Sequence, residues 1–266
     1  MKNLSLIYVL FGYFTLFFTI EIRAQVLDEF QVRFLTNDSS AVDFWPCFSP
    51  DGKTILFSRT FDLEKWEFFS ISLIDGEVDR FSKMKISISE TRASWSKTHN
   101  IIVFTGVPNV NEASVWLIKA DGSDLKQLKI DGLSNLVFYP SWYPDSFHLA
   151  VMDAKDQVIK RIDIPNQIAT TITDKTKVLT GRPSVSPDGK LIAFAGQENV
   201  GLPYNQKINS IWLIDETGQA KFLENELFQG RSPAWSPDGK KLVFDSPTIT
   251  NNKRTSKIAI IDISNE

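Results

Sequence analysis

Cysteine is nearly absent: Cys47 is the only one among 266 residues. That excludes an intrachain disulfide and any cysteine-rich zinc or iron–sulfur site. Two histidines, His99 and His148, are too few for a three-histidine metal centre. No Asp-x-Asp-x-Asp-Gly calcium loop and no Gly-x-Ser-x-Gly nucleophile elbow occurs. A basic excess is missing as well: the formal net charge is −3, which argues against a nucleic-acid binder. No helical signal follows residue 24, and no cofactor is expected. What is present is ordinary for a globular chain, with 42 % hydrophobic and 23 % charged residues. The aromatic share of 12 %, mainly 20 Phe and 7 Trp, is high.

Residues 1–24 read as an export segment. Lys2 gives a positive start, Leu4–Ile20 carries no charge, and Ile22-Arg23-Ala24 before Gln25 is an acceptable cleavage site. The alternative is an uncleaved anchor, because this run is at the short limit for spanning a bilayer. Loss of Lys2, Glu21 and Arg23 leaves a net charge of −4 on the mature chain, residues 25–266. An exported chain that does not depend on disulfides suits a bacterial periplasm or secretion from a bacterium.

The remainder repeats itself. Five segments align without a gap, beginning at Pro46, Ala93, Pro140, Pro183 and Pro233. Ser49, Ser96, Tyr143, Ser186 and Ser236 share one position, at spacings of 47, 47, 43 and 50 residues. That period suits a four-stranded propeller blade. Ser-Pro-Asp-Gly is a β-turn signal, since Pro presets φ and Gly suits the last position. In the strand that follows, Leu56, Val103, Ala150, Ala193 and Val243 are apolar between apolar neighbours. A strand apolar on both faces is buried on both faces. Third strands are expected over Phe69–Ile74, Val115–Ile118, Val158–Ile162, Ile211–Ile214 and Ile258–Ile261. Fourth strands are expected over Val78–Phe81, Leu125–Leu128, Ile168–Ile172 and Ala220–Leu223. The last copy stops before a fourth strand, and Gln31–Thr36 has the pattern to supply it. The expected fold is therefore all-β: a five-bladed β-propeller of four antiparallel strands per blade, its ring closed by the N-terminal strand, with six blades as the alternative.

These residues resemble the propeller repeat of TolB-type proteins. The runs Ser186–Lys190 and Ser236–Lys240, with Trp95, Trp142 and Trp235 before the turns, carry the likeness. The repeat is also similar to propeller segments of dipeptidyl-peptidase and prolyl-oligopeptidase enzymes. The resemblance covers residues 31–266 and implies a propeller that binds a protein in the bacterial envelope.

Candidate chemistry is sparse. His99 and His148 read as turn and strand-surface residues, Cys47 as a small-residue packing slot, and Asp51, Asp145, Asp188 and Asp238 as turn stabilisers. The turns within each copy are tight on one side of the ring. On the other side longer segments are expected as irregular loops: Arg59–Lys65, Gly106–Ser114, Gly196–Ser210 and Ser246–Ser256. Binding tends to live on such loops. The innermost strands begin on that side, which places Trp45, Arg92, Tyr139, Arg182 and Arg231 around the channel mouth, with Asp43 and Glu90 nearby. Arginine and aromatic residues dominate binding hot spots. The expected function is a non-catalytic exported scaffold, its partner a protein of the envelope or extracellular space that offers an acidic peptide, or a glycan. No nucleic acid, no metal and no membrane insertion after cleavage are expected. The alternative is a glycan-binding or glycan-cleaving propeller using Asp43 and Glu90.

N-terminal sequencing of the protein from its native host should start at Gln25 or within a few residues of it. Met1 retained in the membrane fraction would instead identify an anchor.

Overall fold

The repeat owes its shape to the chemistry of its turn. The hydroxyls of Ser49, Ser186 and Ser236 donate to Oδ1 of Asp51, Asp188 and Asp238 at 2.5–2.6 Å. Each hydroxyl also accepts the N–H five residues on, from Thr54, Leu191 and Lys241. The same Asp oxygens accept the N–H of Lys53, Lys190 and Lys240 at 3.1 Å. The serine hydrogen bonds, followed by those backbone donors, hold the three carboxyls below the ordinary range. Gly52, Gly189 and Gly239 complete the turns at φ between 69° and 78°, a region that costs glycine little.

The computed structural model describes residues 34–81, 87–88, 93–109, 111–203, 209–215, 217–223, 230–250 and 253–263. Among these residues there are strands and no helix. The first blade holds β1 (Val42–Phe48), β2 (Thr54–Thr60), β3 (Glu67–Ser72) and β4 (Val78–Arg80). In the second, β5 (Ser87–Ile88) and β6 (Ser94–Trp95) both pair with β7 (Ile101–Asn109), followed by β8 (Glu112–Lys119) and β9 (Lys126–Gln127). The third comprises β10 (Val137–Trp142), β11 (His148–Asp153), β12 (Val158–Asp163) and β13 (Ile168–Thr171). The fourth comprises β14 (Val178–Val185), β15 (Leu191–Glu198), β16 (Ser210–Asp215) and β17 (Ala220–Phe222). The fifth is described with β18 (Arg231–Trp235), β19 (Lys241–Thr250) and β20 (Lys253–Asp262). Each sheet is antiparallel in chain order, and the blades form a five-bladed propeller around a cavity that touches all of them.

Of the expected closing strand Gln31–Thr36, residues 31–33 lie outside the described residues, and 34–36 carry no strand. Two expected loops are corrected. Ser246–Ser256 is largely a hairpin, with Pro247 opposite Ser256 and Thr250 opposite Lys253. Gly106–Ser114 is a second one, closed by Asn109 opposite Glu112. The β-branched run Thr248-Ile249-Thr250 favours strand.

The core is a set of seams between blades. Leu56, Phe68, Ile102 and Phe104 join the first two blades. Val103, Leu117, Leu149 and Ile162 join the second and third. Ala150, Ile159, Phe194 and Ile214 join the third and fourth, and Ala193, Leu213, Leu242 and Phe244 the fourth and fifth. Polar staples cross the same seams near the axis. Trp142 Nε1 donates to the Ser94 carbonyl at 3.0 Å and Trp235 Nε1 to the Ser184 carbonyl at 2.8 Å. Between the third and fourth blades, Val185 takes the tryptophan position, and its own N–H donates to Ser141 Oγ instead.

A buried ion pair anchors the connection into the third blade. Asp153, wholly buried, accepts from Lys160 Nζ at 2.7 Å and from both the hydroxyl and the N–H of Ser134. Lys160 also donates to the Gly132 carbonyl and to Asp156. Burial alone would raise the Asp153 carboxyl, but the donors from Lys160 and Ser134 outweigh it and hold the carboxyl below its ordinary value. Burial likewise works to lower Lys160, yet its acidic partners hold the ammonium above its usual range. The aspartate's contribution is therefore complete at neutral pH and is lost as pH falls through its depressed pKa. The lysine's is lost only as pH rises through its elevated one.

Removing one partner leaves a buried charge uncompensated. Urea unfolding of Asp153→Ala at pH 7 should show a loss of about 3–5 kcal/mol. The gap to the parent should narrow below about pH 4, the ordinary carboxylate range.

Candidate binding site at the channel mouth

The innermost strands do not run straight into their turns. The register shifts between Phe44 and Cys47 in β1, Phe138 and Ser141 in β10, Thr180 and Pro183 in β14, and Arg231 and Ala234 in β18. Each shift contains or ends at a proline, which has no N–H to give to the ladder. The residue just before the proline, at the bulge of each strand, is Trp45, Tyr139, Arg182 or Ser232. Trp45, Tyr139 and Ser232 adopt left-handed backbone, with φ of 51°, 56° and 52°. Such a conformation is costly for a non-glycine residue, and costly conformations gather at functional sites.

These four residues line one central cavity of about 230 Å³, together with Trp95 and Phe48. Tyr139 and Arg182 also line an adjoining cavity of about 290 Å³, where Arg231, Asn209 and Gln157 complete the wall. The Arg182 guanidinium lies over the Tyr139 ring, 5.1 Å from its centroid, and donates to Ser232 Oγ. That ties the third, fourth and fifth blades together at the mouth. On the first blade Phe44, Trp45 and Trp66 form an aromatic cluster with centroids 5.2–5.6 Å apart.

The structure thus brings Trp45, Tyr139 and Arg182 together, and Arg231 next to the last two. Arg92 and Glu90 lie outside the described residues. Arg231 is not placed as its neighbours are. It stands one position before the bulge residue, directly opposite Asp245, and pairs with that carboxylate at 2.7 and 2.9 Å. One residue of register separates it from Ser232, which lines the central cavity. Asp43 is similarly engaged, with both its oxygens accepting from the buried Arg59 at 2.6 and 2.8 Å. Sequence reasoning missed Ser232 and Trp66. Ser232 could have been found, because it precedes Pro233 as Trp45 precedes Pro46.

No histidine, cysteine, aspartate or glutamate cluster suited to a metal ion occurs among the described residues. Cys47 lines the central cavity, half-buried. His148 sits in its turn, Nδ1 2.6 Å from Asp145 Oδ2.

No family model matches the chain, and no curated protein matches it. Solved structures do. TolB from Acinetobacter baumannii is similar at a TM-score of 0.69 and 18 % identity, over 88 % of this chain and 55 % of that one. A TolB-type protein from Agrobacterium tumefaciens aligns at a TM-score of 0.71 and 19 % identity, over 87 % of this chain and 80 % of that one. An oligogalacturonate lyase in complex with manganese aligns at 0.62 and 13 % identity, over 87 % and 65 %. The chain therefore spans little more than half the length of the Acinetobacter protein. At these identities the likeness is one of fold, and the fold is that of the TolB-type propeller.

Proposed function

We propose that this chain is an exported, non-catalytic propeller that binds an acidic segment of another envelope or extracellular protein at its channel mouth. The observation that carries the reading is the convergence of Trp45, Tyr139 and Arg182 on one cavity, two of them held in strained backbone. Strain of that kind persists only where the surroundings over-determine it. Arg182 offers a planar fork to a carboxylate, already oriented by Tyr139 and Ser232. Trp45 and Tyr139 supply flat apolar surface for a peptide. The bidentate hold of Arg59 on Asp43 favours binding over hydrolysis, since a glycosidase carboxylate must be able to exchange protons or attack. The aromatic cluster of Phe44, Trp45 and Trp66 supports a second reading, a glycan stacked on the first blade. Residues 1–24 support a periplasmic or secreted location.

Pull-down from envelope extract with the mature chain should capture a partner through an acidic segment. Arg182→Ala should weaken that binding by about 1–3 kcal/mol, roughly 5- to 150-fold, with little change in melting temperature. Arg231→Ala should act mainly on stability, because its charge is already matched by Asp245. A partner captured equally by the parent and by Arg182→Ala would remove this face as the site. Competition by a neutral oligosaccharide but not by an acidic peptide would favour the glycan reading.

A further inference from the structure

The third blade departs from the repeat at two positions. Tyr143 stands where the other copies have Ser49, Ser96, Ser186 and Ser236. Arg161 faces Ala150 across its hairpin. The residues facing the equivalent Leu56, Val103, Ala193 and Val243 are Ser70, Leu117, Leu213 and Ile260. One blade thus carries a charge where three of the other four carry an aliphatic side chain. The two departures meet: the Arg161 guanidinium lies over the Tyr143 ring, 4.9 Å from its centroid.

Both line a groove of about 540 Å³ between the turns of the third and fourth blades, on the reverse side of the propeller from the mouth. Arg161 is half-buried, and its Nε is sealed from solvent without a hydrogen-bond partner. Among the described residues it has no carboxylate partner either. A guanidinium N–H kept from water and from any acceptor is costly, and an aliphatic side chain here would avoid the cost. The groove's aspartates do not serve it. Asp145 accepts from Phe147 and His148, Asp188 from Ser186 and Lys190, and Asp215 from Thr217. Each is fixed within its own turn, with lone pairs to spare for donors that enter the groove. Three fixed carboxylates repel a polyanion but accept O–H or N–H groups.

We propose that this groove binds a small monocarboxylate that carries hydrogen-bond donors, its carboxylate received by Arg161 and its donors by the aspartate rim. The donors are ammonium or amide groups in an amino acid or short peptide, or hydroxyls in a sugar acid. The site is separate from the mouth and does not rest on the function proposed there.

Isothermal titration with glycylglycine and with glucuronate distinguishes the two sources, with glucose as the uncharged control. One of the two acids should saturate the parent chain in the micromolar to millimolar range. Arg161→Met should weaken it at least tenfold, and Arg182→Ala should leave it unchanged. Tyr143→Ser, which restores the repeat residue and removes the stacking surface, should weaken it severalfold. Arg161→Met should also melt no lower than the parent, and about 2–4 °C higher where relief of the unpartnered N–H contributes. No heat from either acid, equal binding by Arg161→Met, or loss of binding in Arg182→Ala would overturn the proposal. So would a lower melting temperature for Arg161→Met, which would identify a structural arginine.

Discussion

A strand that is apolar on both faces cannot be satisfied by its own sheet, and four of the five blades bury one against a neighbour; in the fifth, Val243 is exposed, contrary to the doubly buried strand expected there. Leu56, Val103, Ala150 and Ala193 are completely buried, each against a neighbouring blade rather than within its own. No blade is an independent folding unit on that account. The seams supply the hydrophobic stabilisation, and the tryptophan and serine staples fix which carbonyl sits against which blade. The tight Ser-Pro-Asp-Gly turns follow from the same constraint. Adjacent turns pack closely, and a Cβ on Gly189 would sit 3.0 Å from Pro144 Cδ of the preceding blade. A bulkier or looser turn would push the seams apart.

The mouth depends on this rigidity. Left-handed Trp45 and Tyr139 sit on bulges that pair with a single neighbouring strand and are each followed by a proline. Arg182 reaches Tyr139 on one neighbouring blade and Ser232 on the other, so its orientation reports the spacing of three blades at once. A ligand there meets a surface whose entropy has largely been removed before binding.

Much of the fold was legible in the sequence because the physics of a blade is local and recurs. The Ser-Pro-Asp-Gly turns, the doubly apolar second strands and fourth strands such as Val78–Arg80 and Ala220–Phe222 fall within a residue or two of expectation. The hairpin at Ser246–Ser256 was read as a loop because its outer half, Arg254-Thr255-Ser256, lacks apolar alternation. Its pairing is visible only once both strands are in place. At the site, Trp45, Tyr139 and Arg182 could be read from their position before a proline. The left-handed backbone of Trp45 and Tyr139 could not, since neither is glycine. The pairing of Arg231 with Asp245 has no signature in composition, because a one-residue register difference decides it. Arg161 escaped notice because a lone arginine in a strand reads as solvated until its neighbours are known.

The prolines that close the bulges have a bearing on what the channel can admit. Each innermost strand turns its free edge toward the axis, and an unpaired edge invites another strand to add to it. Pro46, Pro140, Pro183 and Pro233 interrupt the innermost strand at its bulge in four of the five copies, at the height of the mouth, so that edge offers no regular run of donors there. A segment entering the channel therefore cannot lie down as an extra strand along these edges. It has to be held by side chains, one contact at a time, so its sequence, rather than its readiness to be extended, decides whether it stays.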